Sequence, residues 1–353
     1  MLQAAVRGDF SGDPRPDAGA MRIAVGEPEA PRLVRLHAVD ADEDAARLLA
    51  GLLAAQARTD PKFFYDAQGS ALFDAICHLD EYHPTRIEAS IFRDAREAIA
   101  RDIGRAFPAG YQWVDLGCGD AAKSRDWLAS IAPRRYVGVD IAADWLRPAV
   151  ARIAEAYPDV EAVGVVADLA APLSLTPVLD EVPEPPLFFY PGSSIGNFEP
   201  QRAIAMLKAL RQLGGGRGGL LIGVDCESDP QRLEAAYDDA LGLTAAFNRN
   251  VLRVANRLLG ADFDSRAFAH RAWYNEIDSR VEMHLVARSA QTVRFRQPHP
   301  AERDYEADEV IVTEYSCKYT PARFAALLDA AGFRRQRTWQ DPAQRFAVVL
   351  ATG

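Results

Sequence analysis

The chain has 353 residues, 49% of them apolar, and carries a net charge of −10 with a pI near 5.2. Its length suits a Rossmann-like domain with an insertion or a second lobe, and its composition allows a large buried core. The acidic balance argues against nucleic acid as a partner, because phosphates require clustered Lys and Arg, but it is compatible with a small zwitterionic substrate.

The amino terminus has no signal-peptide pattern, and no apolar run in the sequence approaches the ~20 residues that span a bilayer. Residues 1–31 are rich in Gly, Pro, Asp and Ala, which predicts a disordered tail, and either Met1 or Met21 could be the start. The cysteines and histidines show no metal-ligand spacing. The sequence therefore predicts a cytoplasmic protein with reduced thiols, no membrane segment and no metal site.

The first predicted elements are helical. Apolar spacing predicts a helix over 42–57, and the segment PKFFYDAQGSALFDAI is typical of a loop that runs into a short helix. Pro84 stands at a favoured first-turn position and opens a long helix that continues to about Ile103.

Strands and helices then alternate. Strands are predicted over 113–116, 136–139, 160–166, 186–190 and 219–224, with helices from about Ala121, over 144–156 and over 200–213. Strands separated by helices indicate βαβ units and a parallel sheet. The glycine cluster at 214–219 resembles a phosphate loop, but glycine is also the usual link from a helix end to the next strand, and we favour that interpretation.

From Asp229 the pattern changes. Helices are predicted over 230–258, and alternating apolar and polar residues predict strands over 271–294. The Rossmann-like series is expected to resume near Val310 with a strand, followed by a helix over 321–331 and closing strands over 336–339 and 346–351.

The segment VDLGCGDAAK places Gly117 and Gly119 between a strand and a helix. Glycines there let the backbone approach a ligand, and the helix N-terminus offers free N–H groups. The same pattern fits a dinucleotide fingerprint, so it is weak evidence alone. Asp115, inside the strand, suits the cationic methionine end of S-adenosylmethionine better than a pyrophosphate, for which the glycines are also too few.

Two more acids follow at strand ends. Asp140 comes about 20 residues after Gly117, where a carboxylate accepts hydrogen bonds from ribose hydroxyls. Asp168 ends the third strand, where the adenine amino group would need an acceptor. Each of these acids could instead be a helix N-cap or a turn residue. Acids at successive strand ends favour an S-adenosylmethionine site.

Longer segments carry a more specific resemblance. They are FFYDAQGSALFDAI, EYHPTR, DLGCGD, PGSSIGN, AYDDALGLTAAFNRNVL, ADFD and TEYSCKY. From about Pro61 to the C-terminus the chain resembles the histidine-specific Nα-methyltransferases of ergothioneine biosynthesis. The resemblance implies an α/β fold, namely a Rossmann-like S-adenosylmethionine-dependent methyltransferase sheet with a second substrate-binding lobe. Closing strand pairs of the kind predicted here are a frequent ending of such sheets.

The resemblance also implies a division of the chain. Residues 1–31 form the tail, 32–83 and 229–317 form the two parts of the substrate-binding lobe, and 84–228 and 318–353 form the methyltransferase domain. By family analogy we expect a monomer.

Carried over position by position, the resemblance assigns roles to single residues. Cofactor contacts fall on Gly117, Lys123, Asp140, Asp168 and Leu169, to which the strand and loop pattern adds Asp115 and Gly119. Histidine contacts fall on Tyr82, Asn197, Tyr237, Glu314 and Ser316, and pocket-lining positions on Tyr65 and Met283. We expect Tyr65, Tyr82 and Asn197 to be the catalytic set. The chain departs from the family pattern at His83, where an aromatic is expected, and at Tyr190-Pro191, where Phe-Leu is more usual, which leaves a shifted substrate preference open.

The chemistry explains why these residue types are needed. The amide of Asn197 can donate to a substrate carboxylate and accept from an amine, and Tyr237 can donate to the same carboxylate. Glu314 and Ser316 stand at i and i+2, which places them on one face of a strand. A carboxylate that accepts from an imidazole N–H, beside a hydroxyl, would select a histidine ring, so Glu314 is the expected specificity determinant.

Each assignment has a plainer alternative. Tyr65 and Tyr82 could be packing aromatics, Asn197 could close a turn, and Glu314 could be an exposed strand residue. Met283 is expected to be core or pocket wall in either case.

The expected reaction is three successive methyl transfers from S-adenosylmethionine to the α-amino group of L-histidine, giving N,N,N-trimethylhistidine (hercynine). The aromatic faces of Tyr65 and Tyr82 would stabilise the growing ammonium by cation–π attraction. The sequence offers no convincing general base, so the amine proton is expected to leave to solvent through a tyrosine hydroxyl or a water. The alternatives are the same reaction on another amino acid or related amine, and a non-catalytic binding protein that retains the cofactor fold.

Overall fold

The computed structural model describes residues 31–36, 41–169, 171 and 173–353. The predicted tail lies outside the described residues except for Pro31, and so do both candidate start positions. Across the described ranges, no helix is long and apolar enough to cross a membrane.

The strands of the described residues are β1 (Arg32–Arg35), β2 (Gln112–Leu116), β3 (Arg135–Asp140), β4 (Glu161–Val166), β5 (Pro186–Tyr190), β6 (Gly219–Asp225), β7 (Phe268–Asn275), β8 (Arg280–Ala287), β9 (Gln291–Phe295), β10 (Ala301–Tyr305), β11 (Val310–Cys317), β12 (Arg335–Gln340) and β13 (Phe346–Thr352). The helices are α1 (Ala41–Leu53), α2 (Ala67–Cys77), α3 (His83–Asp94), α4 (Arg96–Ala106), α5 (Ala122–Ile131), α6 (Ala143–Ala156), α7 (Thr176–Leu179), α8 (Pro200–Leu213), α9 (Pro230–Tyr237), α10 (Leu243–Leu259) and α11 (Pro321–Ala331). Short 3₁₀ helices lie at Pro61–Phe64, Ser194–Asn197 and Ser265–Ala267.

The main sheet has the order β1-β4-β3-β2-β5-β6-β13-β12. The strands from β1 to β6 run parallel, while β13 runs antiparallel to β6 and to β12. The predicted parallel series and its closing strand pair are therefore confirmed. Strands β2, β5 and β6 are buried along their whole length, which explains their continuous apolar sequences.

Helices cover both faces of this sheet. One buried core joins it to residues of α8 and α11, and the other joins it to residues of α3, α4, α5 and α6. The parallel strands all end at one edge of the sheet, and the strand order reverses between β2 and β5. Open α/β sheets bind ligands at the carboxyl ends of the strands beside such a reversal.

The edge strand β1 differs from the prediction. The predicted division of the chain places residues 32–36 in the substrate-binding lobe, but Arg32–Arg35 pairs in parallel with β4 of the main sheet. A Cβ on Gly164 of β4 would lie 2.3 Å from a methyl carbon of Leu33, so glycine at this position makes room for the added strand. A four-residue strand that pairs across a long stretch of chain leaves too short a pattern to be recognised from sequence.

The predicted long helix from Pro84 is also different, because it is interrupted at Ala95 between α3 and α4. The backbone leaves the helical region there (φ −101°, ψ 6°), although the Ala95 N–H still donates to the Ile91 carbonyl. The Arg96 guanidinium then lies 4.9 Å from the Trp127 ring centroid and donates to the Asp126 carbonyl. These contacts hold the start of α4 against α5.

A second group of elements packs around its own core. Strands β11, β8 and β7 form an antiparallel sheet, β9 and β10 form a hairpin, and α1, α2, α9 and α10 contribute to the same buried cluster. The prediction that β11 resumes the main sheet is wrong, since β11 pairs with β8. The chain returns to the main sheet just after β11, where the Tyr319 N–H donates to the carbonyl of Asp225.

Candidate active site

A cavity of about 1360 Å³ lies at the carboxyl edge of the main sheet. Its wall includes positions predicted to contact the cofactor, namely Gly117, Gly119, Lys123, Asp140, Asp168 and Leu169. It also includes positions predicted for the substrate pocket, namely Tyr65, Asn197 and Glu314. The other predicted positions, Asp115, Tyr82, Tyr237, Met283 and Ser316, are not part of this wall. The structure therefore brings the two predicted groups to one space and sets some members behind it.

The glycine loop after β2 borders open space. Gly117 and Gly119 have φ angles of +69° and +53°, in the left-handed region that glycine adopts without strain. A Cβ on Gly119 would meet nothing within 4 Å, and one on Gly117 would meet only Leu169, at 3.6 Å. A side chain at these positions would occupy the cavity, so the loop suits close approach by a ligand.

Asp140 links this loop to the end of β3. Its carboxylate accepts from the backbone N–H groups of Gly119 and Ala142, each at 2.9 Å. Burial raises the pKa of Asp140. Each carboxylate oxygen has a second lone pair, so Asp140 caps the backbone and can still accept from a ligand hydroxyl.

Asp115 is not part of the cavity wall. It is 3% exposed, and it accepts from the hydroxyls of Ser124 at 2.6 Å and Tyr136 at 3.2 Å. Burial raises the pKa of Asp115 to about 7. Its contacts connect β2, β3 and α5 beneath the glycine loop, and its expected contact with the methionine end of a cofactor stays a prediction.

Asp168 is engaged by basic groups from the N-terminal segment. Its carboxylate lies 3.1 Å from Lys62 Nζ and 3.7 Å from a guanidinium nitrogen of Arg47. The ammonium of Lys62 also contacts Asp44. Lys62 is not among the residues predicted from the sequence, although it stands in the segment PKFFYDAQGSALFDAI.

Lys123 is held by the buried carboxylate of Glu88, which is not among the residues predicted from the sequence. Glu88 is 1% exposed and accepts from Lys123 Nζ at 2.6 Å and from the Gly192 N–H at 2.7 Å. A Cβ on Gly223 would collide with a carboxylate oxygen of Glu88, so glycine at this position leaves room for the carboxylate where it stands. Glu88 thereby joins the start of α5 to the loop that follows β5.

The loop after β5 places Asn197 on the cavity wall. Ser193 has a φ of +59°, and its hydroxyl accepts from the Asp225 N–H at 2.9 Å. A Cβ on Gly196 would lie 2.8 Å from the carbonyl of Cys317, so the loop packs directly on the backbone at the end of β11. Asn197 is thus fixed between β6 and β11.

Glu314 presents its carboxyl group to the cavity. Among the described residues, no hydrogen-bond or ion-pair partner is found for this side chain. Burial raises the pKa of Glu314 to about 7, although the Lys318 ammonium acts in the opposite direction. Its cross-strand neighbour Met283 is 2% exposed and belongs to the second core, which answers the open choice between core and pocket wall.

Aromatic rings pack along the same side. The Tyr65 ring lies edge-on to Phe73 and Phe247, with centroids 5.6 and 5.7 Å apart. Tyr82 lies 6.2 Å from Phe73 and 6.3 Å from Tyr237. Burial raises the pKa of both Tyr65 and Tyr82, which keeps their phenols neutral. Tyr65 lines the cavity and packs against Phe73 and Phe247, whereas Tyr82 is not part of the cavity wall.

Behind the wall, Lys318 Nζ lies within hydrogen-bond distance of Asp225, Tyr237 and Ser316. Asp225 also contacts His83 Nε2 at 3.3 Å. Burial alone would raise the pKa of Asp225, but the Lys318 ammonium and the His83 contact outweigh it and hold that pKa below its usual range. Lys318 and Asp225 are not among the site residues predicted from the sequence, although Lys318 stands inside the segment TEYSCKY.

A hydrogen bond from His270 also fixes the backbone of Tyr237. His270 Nε2 donates to the Tyr237 carbonyl at 2.8 Å, so His270 Nδ1 is left as the acceptor for the Asn248 amide, also at 2.8 Å. Asn248 stands in the segment AYDDALGLTAAFNRNVL, which gives part of that segment a physical role.

Comparisons with known proteins identify the family of the chain. A family model described as "Histidine-specific methyltransferase, SAM-dependent" matches residues 44–353. The "Histidine N-alpha-methyltransferase" of Mycolicibacterium smegmatis is 41% identical over 90% of this chain and 98% of its own length. A protein of the same name from Mycobacterium tuberculosis is 41% identical over 82% of this chain and 89% of its own. "Ergothioneine biosynthesis protein 1" of Neurospora crassa is 25% identical over 78% of this chain and 31% of its own length.

Proposed function

The chain belongs to the histidine-specific, S-adenosylmethionine-dependent methyltransferases, and we propose that it trimethylates the α-amino group of L-histidine to hercynine, a step toward ergothioneine. One observation carries the proposal. A single cavity of about 1360 Å³ is lined both by the glycine loop and by Asn197 and Glu314. A methyl donor and an amino acid bound in one cavity can meet without crossing solvent.

The cofactor half of the cavity fits S-adenosylmethionine, which supplies the methyl group when bound. Gly117 and Gly119 leave space where side chains would stand. Asp140 keeps acceptor capacity for ribose hydroxyls, and Asp168 and Leu169 line the part of the wall expected near the adenine. Lys123 borders the same space and is fixed by Glu88.

The substrate half offers groups for each end of histidine. Asn197 would donate to the carboxylate and accept from the amine. Glu314, which faces the cavity, would accept a ring N–H, and this contact would relieve the cost of holding a carboxylate in a buried site. Glu314 is therefore the proposed specificity determinant.

The chemical step needs a neutral amine aimed at the methyl group, and positioning and electrostatics are the chain's contribution. The buried phenols of Tyr65 and Tyr82 stay protonated at neutral pH, so neither acts as a general base. The amine proton would leave to solvent, and the ring of Tyr65 would face the growing ammonium.

The test is a substrate screen with purified protein, labelled S-adenosylmethionine and each common amino acid, with products weighed by mass spectrometry. Methylation of histidine alone, ending at the trimethyl product, is the expected result. Methylation of a different amino acid would keep the chemistry but overturn the role of Glu314. Cofactor binding without turnover on any amine would favour the non-catalytic alternative. We also propose that the protein is a cytoplasmic monomer, and light scattering on the purified protein tests its oligomeric state.

A further inference from the structure

One ammonium group holds three buried oxygens beside the proposed substrate half of the cavity. Lys318 Nζ lies 2.7 Å from an oxygen of Asp225, 3.0 Å from the hydroxyl of Tyr237 and 3.1 Å from the hydroxyl of Ser316. The hydroxyls of Tyr237 and Ser316 are 2.8 Å from each other. All four side chains are buried, so these bonds are not exchanged for bonds to bulk water.

The protons of this cluster can be counted. An ammonium has three N–H donors and no acceptor, so Lys318 donates to Asp225, Tyr237 and Ser316 at once. Each hydroxyl therefore accepts from Lys318 and has one proton of its own. The bond between the two hydroxyls uses one of these two protons. One O–H is left, and it needs an acceptor that the cluster does not contain.

We propose that Lys318 is a positioning residue for the substrate carboxylate, because its donation to both hydroxyls leaves Tyr237 one O–H to present to that carboxylate. The inference rests on the proposed function, which places an amino acid in the cavity. Ser316 then donates to Tyr237 and keeps one lone pair free.

Tyr237 is the presenting hydroxyl because the phenol is the more acidic of the two and the stronger donor. A carboxylate is a stronger acceptor than a hydroxyl, so the stronger donor pairs with it. Acceptance of a hydrogen bond from a cation polarises the phenol further. Because Ser316 gives its proton to Tyr237, it has no proton left to donate to the substrate.

The experiment is a double-mutant cycle of Lys318→Met and Tyr237→Phe, read out as the Kd of histidine by calorimetry with S-adenosylhomocysteine present. Each single variant is expected to raise that Kd about 10-fold or more, because a hydrogen bond to a charged group is lost. The double variant is expected to bind within about threefold of Tyr237→Phe, since Lys318 acts through the phenol. The Kd of S-adenosylhomocysteine should stay within about twofold.

Controls separate this role from a purely structural one. Lys208→Met makes the same chemical change on an exposed face of α8 and should leave every Kd unchanged. If Lys318→Met does not fold, as judged by thermal unfolding, Asp225→Asn with Lys318→Met removes both buried charges and takes its place in the cycle.

Three results would overturn the assignment. One is additive losses in the cycle, and another is a Lys318→Met protein that binds histidine like the wild type. The third is a wild-type protein that binds no histidine, which would overturn the proposed function as well, so the two failures are told apart on the wild type alone.

Discussion

The two halves of the cavity are built differently. On the cofactor half, the polar side chains already have protein partners, as Asp140 has backbone N–H groups, Lys123 has Glu88 and Asp168 has Lys62. On the substrate half, Glu314 faces the cavity without a partner among the described residues, and the Lys318 cluster has one O–H to spare.

This difference has an energetic meaning. A site whose polar groups already have partners keeps its shape with or without a ligand. These groups gain little free energy when a ligand binds. A buried carboxyl without a partner raises the free energy of the empty site, and a matching donor removes that cost. The cofactor half is therefore expected to supply position, and the substrate half selectivity.

The largest expected effect comes from removing the unpartnered acceptor. Glu314→Gln keeps the shape of the side chain but replaces a charged acceptor with a neutral amide. We expect kcat/KM for histidine to fall about 100-fold, because a charge-assisted hydrogen bond to the ring is lost. Steady-state kinetics at saturating S-adenosylmethionine measures this change. A loss below threefold would remove Glu314 from the specificity role.

A smaller effect is expected on the cofactor half. Asp140→Ala removes the proposed ribose acceptor and also releases the Gly119 and Ala142 N–H groups. We expect the Kd of S-adenosylhomocysteine to rise about 10-fold, while the Kd of histidine changes little. Calorimetric titration of each ligand measures both. Equal losses for the two ligands would show that the halves are not independent.

The sequence predicts the framework of this site better than its interior. The glycine loop and the acids Asp140 and Asp168 follow strands whose apolar runs are visible in a short window, so their place at the sheet edge could be predicted. Most strands and helices follow for the same reason.

Pairings between distant segments could not be predicted in this way. Glu88 meets Lys123 from another helix, and Lys318 meets Asp225 across 93 positions of chain. Nothing local distinguishes such residues from exposed charges. The assignment of β11 to the main sheet failed for a related reason, because a strand's own residues do not state which neighbour it pairs with. Asp115 resembles its fellow acids in sequence, and only its burial under the loop separates it from them.

The smallest expected effect concerns the stability of the empty protein. Burial raises the pKa of Glu314 to about 7, above the ~4.3 of an unfolded Glu, so the folded state binds more protons than the unfolded state between these values. Stability therefore falls as the pH rises from about 4.3 to about 7 and levels off above. We expect this contribution to be roughly 1 kcal/mol, since the side chain keeps some contact with water in the cavity.

Other groups titrate in the same range, among them Asp115, whose pKa burial also raises to about 7. The measurement is therefore a difference: urea unfolding of wild type and Glu314→Gln at pH 5 and pH 8, in which the contribution of Asp115 cancels. Glu314→Gln should gain on the wild type as the pH rises, because it carries no ionisable group. A difference that is the same at both pH values would mean that Glu314 carries no cost in the empty site, and the contrast between the two halves of the cavity would be lost.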